Sequence, residues 1–372
     1  MTTSYWLEEE ADPIPRRPLA GRAEVEVIGG GVTGCACALT LARAGVRVRV
    51  HEARRVAGGA SGRNGGFALR GGKGPYDEAR AALGPGSARR LWQLTEETLD
   101  RIEALGGDAF HRVGSLRLAA DPAERDALRA EFEALRKDGF AVEWADALDP
   151  PLDRFPAALF HPHDGALQPA RWVRRLARLA ADEGAEIVEG SEAVLGQLEA
   201  DVVVVAADGF TGSVIEQLGG AVWPVRGQVL VTEPLPERLF ECPHYSRGGY
   251  DYWQQLPDGR LVVGGRRDAS FETEETGVEE TTPRIQGAIE ALVADLVGRA
   301  PRVTHRWAGI FGMTADGLPL VGRVPGRDGV WVAGGYSGHG NVLGFACGAL
   351  VANAILGRPA AEATLFDPDR PL

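Results

Sequence analysis

Apolar positions along this chain show two textures, continuous runs and strict alternation, in different places. Val27-Ile28 closes a short buried run that leads straight into glycines. Residues 35–44 form an apolar helix stopped by Gly45, and 46–50 reads as a second strand ending at Glu52. Residues 23–52 are therefore a strand–helix–strand unit. The run 201–206 (DVVVVA) and the strand 330–333 suit positions covered on both faces of a parallel sheet. The texture changes at 225–263. There 225–232, 250–256 and 260–264 alternate, with Pro257-Asp258-Gly259 as a turn, which predicts an antiparallel sheet. Helical periodicity marks 76–105, with Leu91, Leu94, Leu99 and Ile102 on its apolar stripe. Asp121-Pro122 opens a charged helix to Lys137, Pro169 one to 181, and Thr282-Pro283 one to about 297. Residues 113–119, 187–188 and 303–311 read as strands, 57–75 as a glycine-rich loop, and 342–356 as a buried closing helix.

Parallel-sheet elements thus stand at the beginning, near 200 and at the end, with antiparallel ones between. This predicts an α/β fold. A Rossmann-like dinucleotide-binding domain takes 20–110, 160–222 and 312–372, and an interleaved mixed/antiparallel-sheet domain takes 111–159 and 223–311. Glu26 interrupts a strand that should be buried, as Arg47 and Arg49 interrupt its neighbour. A cross-strand pair of Glu26 with Arg49 at an accessible sheet end is expected, the alternative being that both reach solvent.

Composition narrows the function classes. The formal charge of −12 over 372 residues argues against nucleic acid as a partner, since phosphate binding needs a basic footprint. Cys35, Cys37, Cys242 and Cys347 have no metal-ligand spacing and read as free thiols in a reducing cytoplasm. The seven histidines show no metal-like grouping, so no metal is expected. The first seventeen residues lack an apolar core, and the longest apolar run is short and glycine-broken, so neither a signal peptide nor a membrane span is expected.

Three glycine clusters carry the chemistry. In the first, Gly29, Gly31 and Gly34 have G-x-G-x-x-G spacing around Val32 and Thr33, between a strand and a helix. Gly29 permits the turn, Gly31 lets backbone approach a pyrophosphate, and Gly34 lets helix and strand pack. Glu52, with Ala53 and Arg54 behind it, stands where an acid accepts hydrogen bonds from a ribose. The second cluster, 58–66, holds Ser61, Gly62, Arg63, Asn64, Gly65 and Gly66. So many glycines suit a backbone lying against a flat ligand or a phosphate, with Ser61 and Arg63 as pyrophosphate ligands and Asn64 orienting the loop. The third, 334–341, holds Gly335, Gly338, His339, Gly340 and Asn341 between a strand and a helix, a second helix N-terminus aimed at an anion or a polar carbonyl. The first turn alone does not separate NAD from FAD; the other two favour a flavin.

On these residues the chain resembles the FAD-dependent D-amino-acid oxidase superfamily, the group that includes glycine oxidase and sarcosine oxidase. The resemblance spans nearly the whole chain: VIGGGVTG with Glu52, ASGRNGG, Arg226-Gly227-Gln228, DGRLVVGG at 258–265, Trp307-Ala308-Gly309, DGLPLVG at 316–322, and GGYSGHGN. ASGRNGG, GHG and the leading Ser4-Tyr5-Trp6-Leu7 look most like the γ-glutamylputrescine oxidase branch. The resemblance implies an FAD-binding domain with a substrate domain over the flavin. It also implies oxidation of a C–N bond of a small amine to an imine by hydride transfer to flavin N5, with O2 reoxidising the flavin to give H2O2. Ala206, Ala207, Gly309 and Val194 join the cofactor set by this likeness, and Tyr252 matches a pocket tyrosine, with Tyr250, Trp253 and His339 beside it.

Departures from the family pattern sharpen the expectation. Phe311 stands where amino-acid oxidases often place a carboxylate-binding arginine, which favours an amine without an α-carboxylate. The alternative is a D-amino-acid or glycine-type oxidase in which Arg302, Arg306 or Arg226 takes over that task. Val262 matches the oxygen-assisting lysine of sarcosine-oxidase-like members, and neither Lys73 nor Lys137 is expected nearby, so another acceptor stands beside O2. The positions used elsewhere for covalent attachment are Gly309 and the Arg63-Asn64 region, which implies non-covalent FAD. A shortened hairpin at 195–201 leaves Val194 against adenine. A non-catalytic FAD-binding assembly protein is the reading of a different class. A monomer or small homo-oligomer is expected.

Overall fold

The computed structural model describes residues 2–371. Its strands sort into three sheets. The first has six strands in the order Leu320–Arg323, Val330–Gly334, Val202–Val205, Val25–Ile28, Val48–Glu52, Glu186–Glu189. All neighbours pair in parallel except the outermost pair, Leu320–Arg323 with Val330–Gly334. Parallel strands need helical crossovers that cover both faces, which is why the central strands Val25–Ile28, Val202–Val205 and Val330–Gly334 are mostly apolar while Val48–Glu52 and Glu186–Glu189, toward the edge, carry more polar residues. Helix Val32–Arg43 packs between Pro169–Asp182 and Gly340–Ile355. The approach to Gly340–Ile355 is close: a Cβ on Gly348 would stand 2.3 Å from the Thr33 carbonyl oxygen.

The second sheet has eight strands, in the order Val303–Met313, Trp223–Thr232, Leu261–Gly265, Asp251–Gln255, His244–Ser246, Ser115–Leu118, Ala158–His161, Glu143–Ala145. It is antiparallel except where His244–Ser246 lies parallel to Ser115–Leu118. Helix Pro283–Val297 covers one face and buries Ile285, Ile289, Val293 and Leu296 against Leu230, Trp253, Leu261 and Val263. Side chains alternate along a strand, so Tyr252 and Val229 belong to the opposite face. A small third sheet pairs Phe67–Ala68 and Phe110–His111 with Gly165–Leu167.

Two expectations need correcting. The helix read over 76–105 is two helices, Tyr76–Leu83 and Pro85–Gly106, because Gly84 takes φ +79° and Pro85 restarts the chain. Glu26 and Arg49 do stand opposite each other in parallel register, 3.4 Å apart, but not at an accessible end. Glu26 is 4% exposed. Arg49 bonds more closely to Glu186, at 2.7 Å, and Glu26 also accepts from His51 at 3.2 Å and from the N–H groups of Glu199 and Ala200 at 3.0 Å each. Burial pushes the Glu26 carboxyl up, yet these bonds hold it below its ordinary value.

All four cysteines are free and buried. Among the described residues no helix is long and apolar enough to cross a membrane, and no group of three or more His, Cys, Asp and Glu could hold a metal ion.

Candidate active site

A cavity of about 1360 Å³ runs from the first glycine turn to the face of the eight-stranded sheet. At one end helix Val32–Arg43 begins at Gly31. Gly29 sits at φ +114°, and a Cβ there would stand 2.4 Å from the Ala206 carbonyl oxygen. Gly31, Val32, Thr33, Ala206 and Ala207 line the cavity. Gly34 does not; its missing Cβ, which would fall 1.9 Å from the Gly29 oxygen, lets the helix sit on the turn. The Glu52 carboxylate is fixed by two backbone donors, the N–H of Gly30 and that of Arg54, each at 2.8 Å. That holds an acceptor pair at the cavity wall beside Ala53 and Val194. Arg54 also lines the wall and forks onto Glu279 at 2.7 and 3.2 Å.

The second cluster forms the next wall. Ser61 Oγ accepts the Val32 N–H at 3.0 Å, which leaves its O–H free to donate at the helix start. Arg63 has a structural task that its sequence does not announce. Its guanidinium donates to the carbonyls of Gly58 (2.9 Å), Thr2 (2.7 Å) and Ala308 (3.1 Å), and it is 6% exposed. Buried and bonded to backbone, it locks the loop, and it also lines the cavity. Asn64 bridges the second and third clusters: it exchanges hydrogen bonds with Asn341 at 3.0 Å and accepts the Gly66 N–H at 2.8 Å. Gly62 and Gly66 stand behind the wall. Gly65 lines it against Tyr252, where a Cβ would come within 2.9 Å of the ring. The N-terminal segment closes over this loop: the Trp6 indole N–H donates to the Asn64 carbonyl at 2.8 Å, and Thr2 Oγ1 accepts the Ala308 N–H at 3.1 Å.

The third cluster brings helix Gly340–Ile355 to the cavity with no side chain capping its first turn. Gly338, His339, Gly340 and Asn341 line the wall, and Gly335 lies behind it. Sequence reasoning missed what holds this cluster. Asp208, in the Ala-Ala-Asp-Gly turn after a buried strand, accepts the N–H groups of Gly335 (2.9 Å), Tyr336 (3.4 Å) and Gly312 (3.0 Å). Burial raises its carboxyl despite those bonds. The His339 imidazole has a buried Nδ1 without a partner among the described residues, and burial holds it down to about 4, so the ring is neutral near pH 7.

The far end is lined by Tyr252, Tyr250, Gly309, Ile310 and Phe311. Burial pushes the Tyr252 hydroxyl up to about 12. Trp253 does not join them. Strand alternation turns it to the other face, fully buried and stacked on His244 at 5.5 Å. Nor do the three arginines considered for a substrate carboxylate. Arg226 forks onto buried Glu274 at 2.8 and 2.9 Å, Arg302 pairs with Glu233 outside, and Arg306 bonds Glu290 at 2.8 Å. Lys73, by contrast, does line the cavity, contrary to the expectation that both lysines lie elsewhere. Arg70, Arg117, Glu131, His161 and Arg267 line it as well. No local pattern announced them, because they come from separate elements.

Comparisons place this geometry. The sequence model of the DAO family, described as FAD dependent oxidoreductase, matches residues 24–354. A probable oxidoreductase OrdL of Rhizobium meliloti (strain 1021) is 31% identical over 95% of this chain and 88% of its own length. The γ-glutamylputrescine oxidoreductase of Escherichia coli (strain K12) is 29% identical over 92% of this chain and 85% of its own. The crystal structure of glycine oxidase from Geobacillus kaustophilus superposes with a TM-score of 0.77 at 24% identity, covering 94% of this chain and 99% of that one, so the two share a fold. The chain belongs to the DAO family of FAD-dependent oxidoreductases, with FAD as its cofactor.

Proposed function

We propose that this enzyme oxidises a C–N bond of a small amine to an imine, which water then hydrolyses. The observation that carries the reading is one cavity with a helix N-terminus at each end of the expected FAD and, beyond them, walls of Tyr252, Phe311 and neutral His339. The residues present fit FAD. The first helix start, with the Ser61 hydroxyl, suits the pyrophosphate, and Glu52 suits the adenosine ribose. The start of Gly340–Ile355, with His339, suits the polar edge of the flavin, and Val194 suits adenine. Nothing in this set calls for a covalent link. When bound, the flavin supplies the hydride acceptor.

The chain's own residues position and filter the amine. Tyr252 and Phe311 shape the place where it lies, and Asn64, Gln254 and Trp6 hold the loop beneath it. Gln254 Nε2 donates to the Gly66 carbonyl at 3.1 Å. Arg267 and Lys73, with no carboxylate partner among the described residues, make this end of the cavity electropositive, which disfavours an ammonium ion and favours the neutral amine needed for hydride release. A general base is then not required. The division into an FAD-binding part and a substrate part follows the two large sheets. O2 is the acceptor on this reading, and Lys73 removes one reason to doubt it, since a cation in the cavity would favour reduced oxygen species.

The test is an anaerobic screen of holoenzyme against polyamines, monoamines, N-methyl amines and D- and L-amino acids, followed by air and a peroxide assay. Bleaching of the flavin by one amine class supports the reading. A flavin that no amine or amino acid reduces would overturn it in favour of a non-catalytic FAD-binding protein.

A further inference from the structure

Glu26, the carboxylate that interrupts a buried strand, starts a line of partners that ends at the cavity. Its Oε1 faces His51 Nε2 at 3.2 Å, and His51 Nδ1 faces Ser191 Oγ at 2.9 Å. Its Oε2 accepts the N–H groups of Glu199 and Ala200, each at 3.0 Å. Glu26 itself does not line the cavity, whereas His51 and Ser191 do, together with Glu52, Ala53 and Val194. This is the end where Glu52 suits the adenosine ribose and Val194 suits adenine. Backbone fixes the last link as well: the Gly190 N–H donates to the Arg54 carbonyl and the Ser191 N–H to the Glu52 carbonyl, each at 2.9 Å. None of Glu26, His51 and Ser191 belongs to the cofactor set that the family likeness implies.

The direction of these hydrogen bonds follows from the chemistry of the groups. An ionised carboxylate only accepts, and a neutral imidazole has a single N–H. Glu26 therefore draws the His51 proton to Nε2, which leaves Nδ1 an acceptor. The proton in the 2.9 Å contact is then the O–H of Ser191. A serine whose proton is spent in this way offers its surroundings lone pairs alone. The cavity thus meets Ser191 as a hydrogen-bond acceptor held in one orientation. Adenine presents a donor at its exocyclic amine and acceptors at its ring nitrogens, so the amine is the group that pairs with such an oxygen. Hypoxanthine, with a carbonyl at that position, would set acceptor against acceptor.

We propose that Ser191, oriented by His51 and Glu26, is a specificity-determining residue that reads the exocyclic amine of adenine in FAD. The site depends on FAD as cofactor and not on which amine is oxidised. Holoenzyme stripped of its flavin is titrated with FAD and with the hypoxanthine analogue of FAD, followed by flavin fluorescence. The proteins compared are wild type, Ser191→Ala, Glu26→Gln and the double variant. The wild type is expected to favour FAD. Ser191→Ala should narrow that preference roughly tenfold, through weaker FAD binding, with the analogue bound no less tightly. Glu26→Gln tests the relay. Its amide carbonyl is kept on the Glu199 and Ala200 N–H groups, which turns the NH2 toward His51. The imidazole proton then moves to Nδ1, the ring donates to Ser191, and the serine O–H is released toward the cavity. The preference should narrow or reverse although Ser191 is intact, and this change should vanish when residue 191 is alanine. Equal affinity of the wild type for the two dinucleotides, or an unchanged ratio in Ser191→Ala, overturns the proposal. So does a Glu26→Gln variant that weakens both dinucleotides equally, which is what a purely structural carboxylate would give. Ser191 is half-buried and outside any helix or strand, so its variant decides the matter even where the buried Glu26→Gln fails to fold.

Discussion

Asp208→Asn tests how the third glycine cluster is held. Asp208 sits at φ +44°, in the left-handed region, which Asp and Asn both tolerate, so the substitution changes hydrogen bonding with little added backbone strain. One oxygen accepts from Gly335 and Tyr336, and an asparagine carbonyl can keep those bonds. The other accepts the Gly312 N–H at 3.0 Å, where an amide NH2 would set donor against donor. Losing a bond to a charged acceptor and stranding a buried N–H costs about 2–4 kcal/mol. Removing a carboxylate whose burial raises its pKa returns part of that, which leaves a net loss of about 1–3 kcal/mol. With an unfolding entropy near 2.1 cal/mol/K per residue, the loss lowers Tm by about 1–4 °C. Asp208→Ala should lose more, because it gives up every bond and adds about 1–2 kcal/mol of left-handed strain. Thermal unfolding with excess FAD, and FAD titration of the apoprotein, measure both effects. An unchanged Tm and FAD affinity in Asp208→Ala would refute the claim that this carboxylate holds the 335–341 segment.

Three further outcomes are expected. Asp164 is fully packed, accepts from the Arg70 N–H and the Ser115 hydroxyl, and is raised by burial to about 6 from an ordinary value of 3.8. The folded state therefore keeps a proton that the unfolded state loses, and stability falls as pH rises through about 4 to 6, by roughly 3 kcal/mol. Urea titrations of wild type and Asp164→Asn at pH 4.5 and 7 should show the variant gaining on the wild type at the higher pH; a constant difference contradicts it. Trp6→Phe keeps the ring but removes the N–H donor to the Asn64 carbonyl, so FAD binding should weaken by about three- to tenfold for a bond of about 1 kcal/mol, read by fluorescence titration of apoprotein. His339→Gln should leave the shape of the kcat profile between pH 6 and 9 unaltered, because the imidazole is already neutral there; loss of a limb in that window would show that His339 titrates in turnover.

The parts legible in the sequence are those whose physics is local. Gly29 and Gly34 announce a turn because only glycine fits where the Ala206 and Gly29 carbonyls crowd the backbone, and a Cβ on Gly31 would stand 2.9 Å from the Ser61 hydroxyl oxygen. Asp121 caps its helix by accepting the Glu124 N–H at 2.8 Å, as its place before Pro122 implies. Burial and strand parity are not local in this way. Arg63 carries the right charge for a phosphate, but the fold surrounds it with three carbonyls contributed by Thr2, Gly58 and Ala308. Tyr252 and Trp253 are neighbours in an aromatic run, and only the packing of helix Pro283–Val297 decides which of them faces the cavity. Lys73 was beyond reach for the same reason. Its loop is brought to the cavity by bonds to Asp164 and Thr95, residues 91 and 22 positions away.

The charge pattern links these observations to selectivity. The chain is acidic overall, yet among the described residues its cavity carries Arg117 and Arg70 in ion pairs and Lys73 and Arg267 without them. An ion pair in a packed wall leaves little net field, so the field felt by a bound molecule comes mainly from the second couple. A cationic field lowers the proton affinity of a bound amine. The same two side chains would then prepare it for hydride loss. Neutralising both should therefore shift the apparent pKa of the bound amine in the kcat profile upward, whereas a purely steric role would leave that pKa where it is.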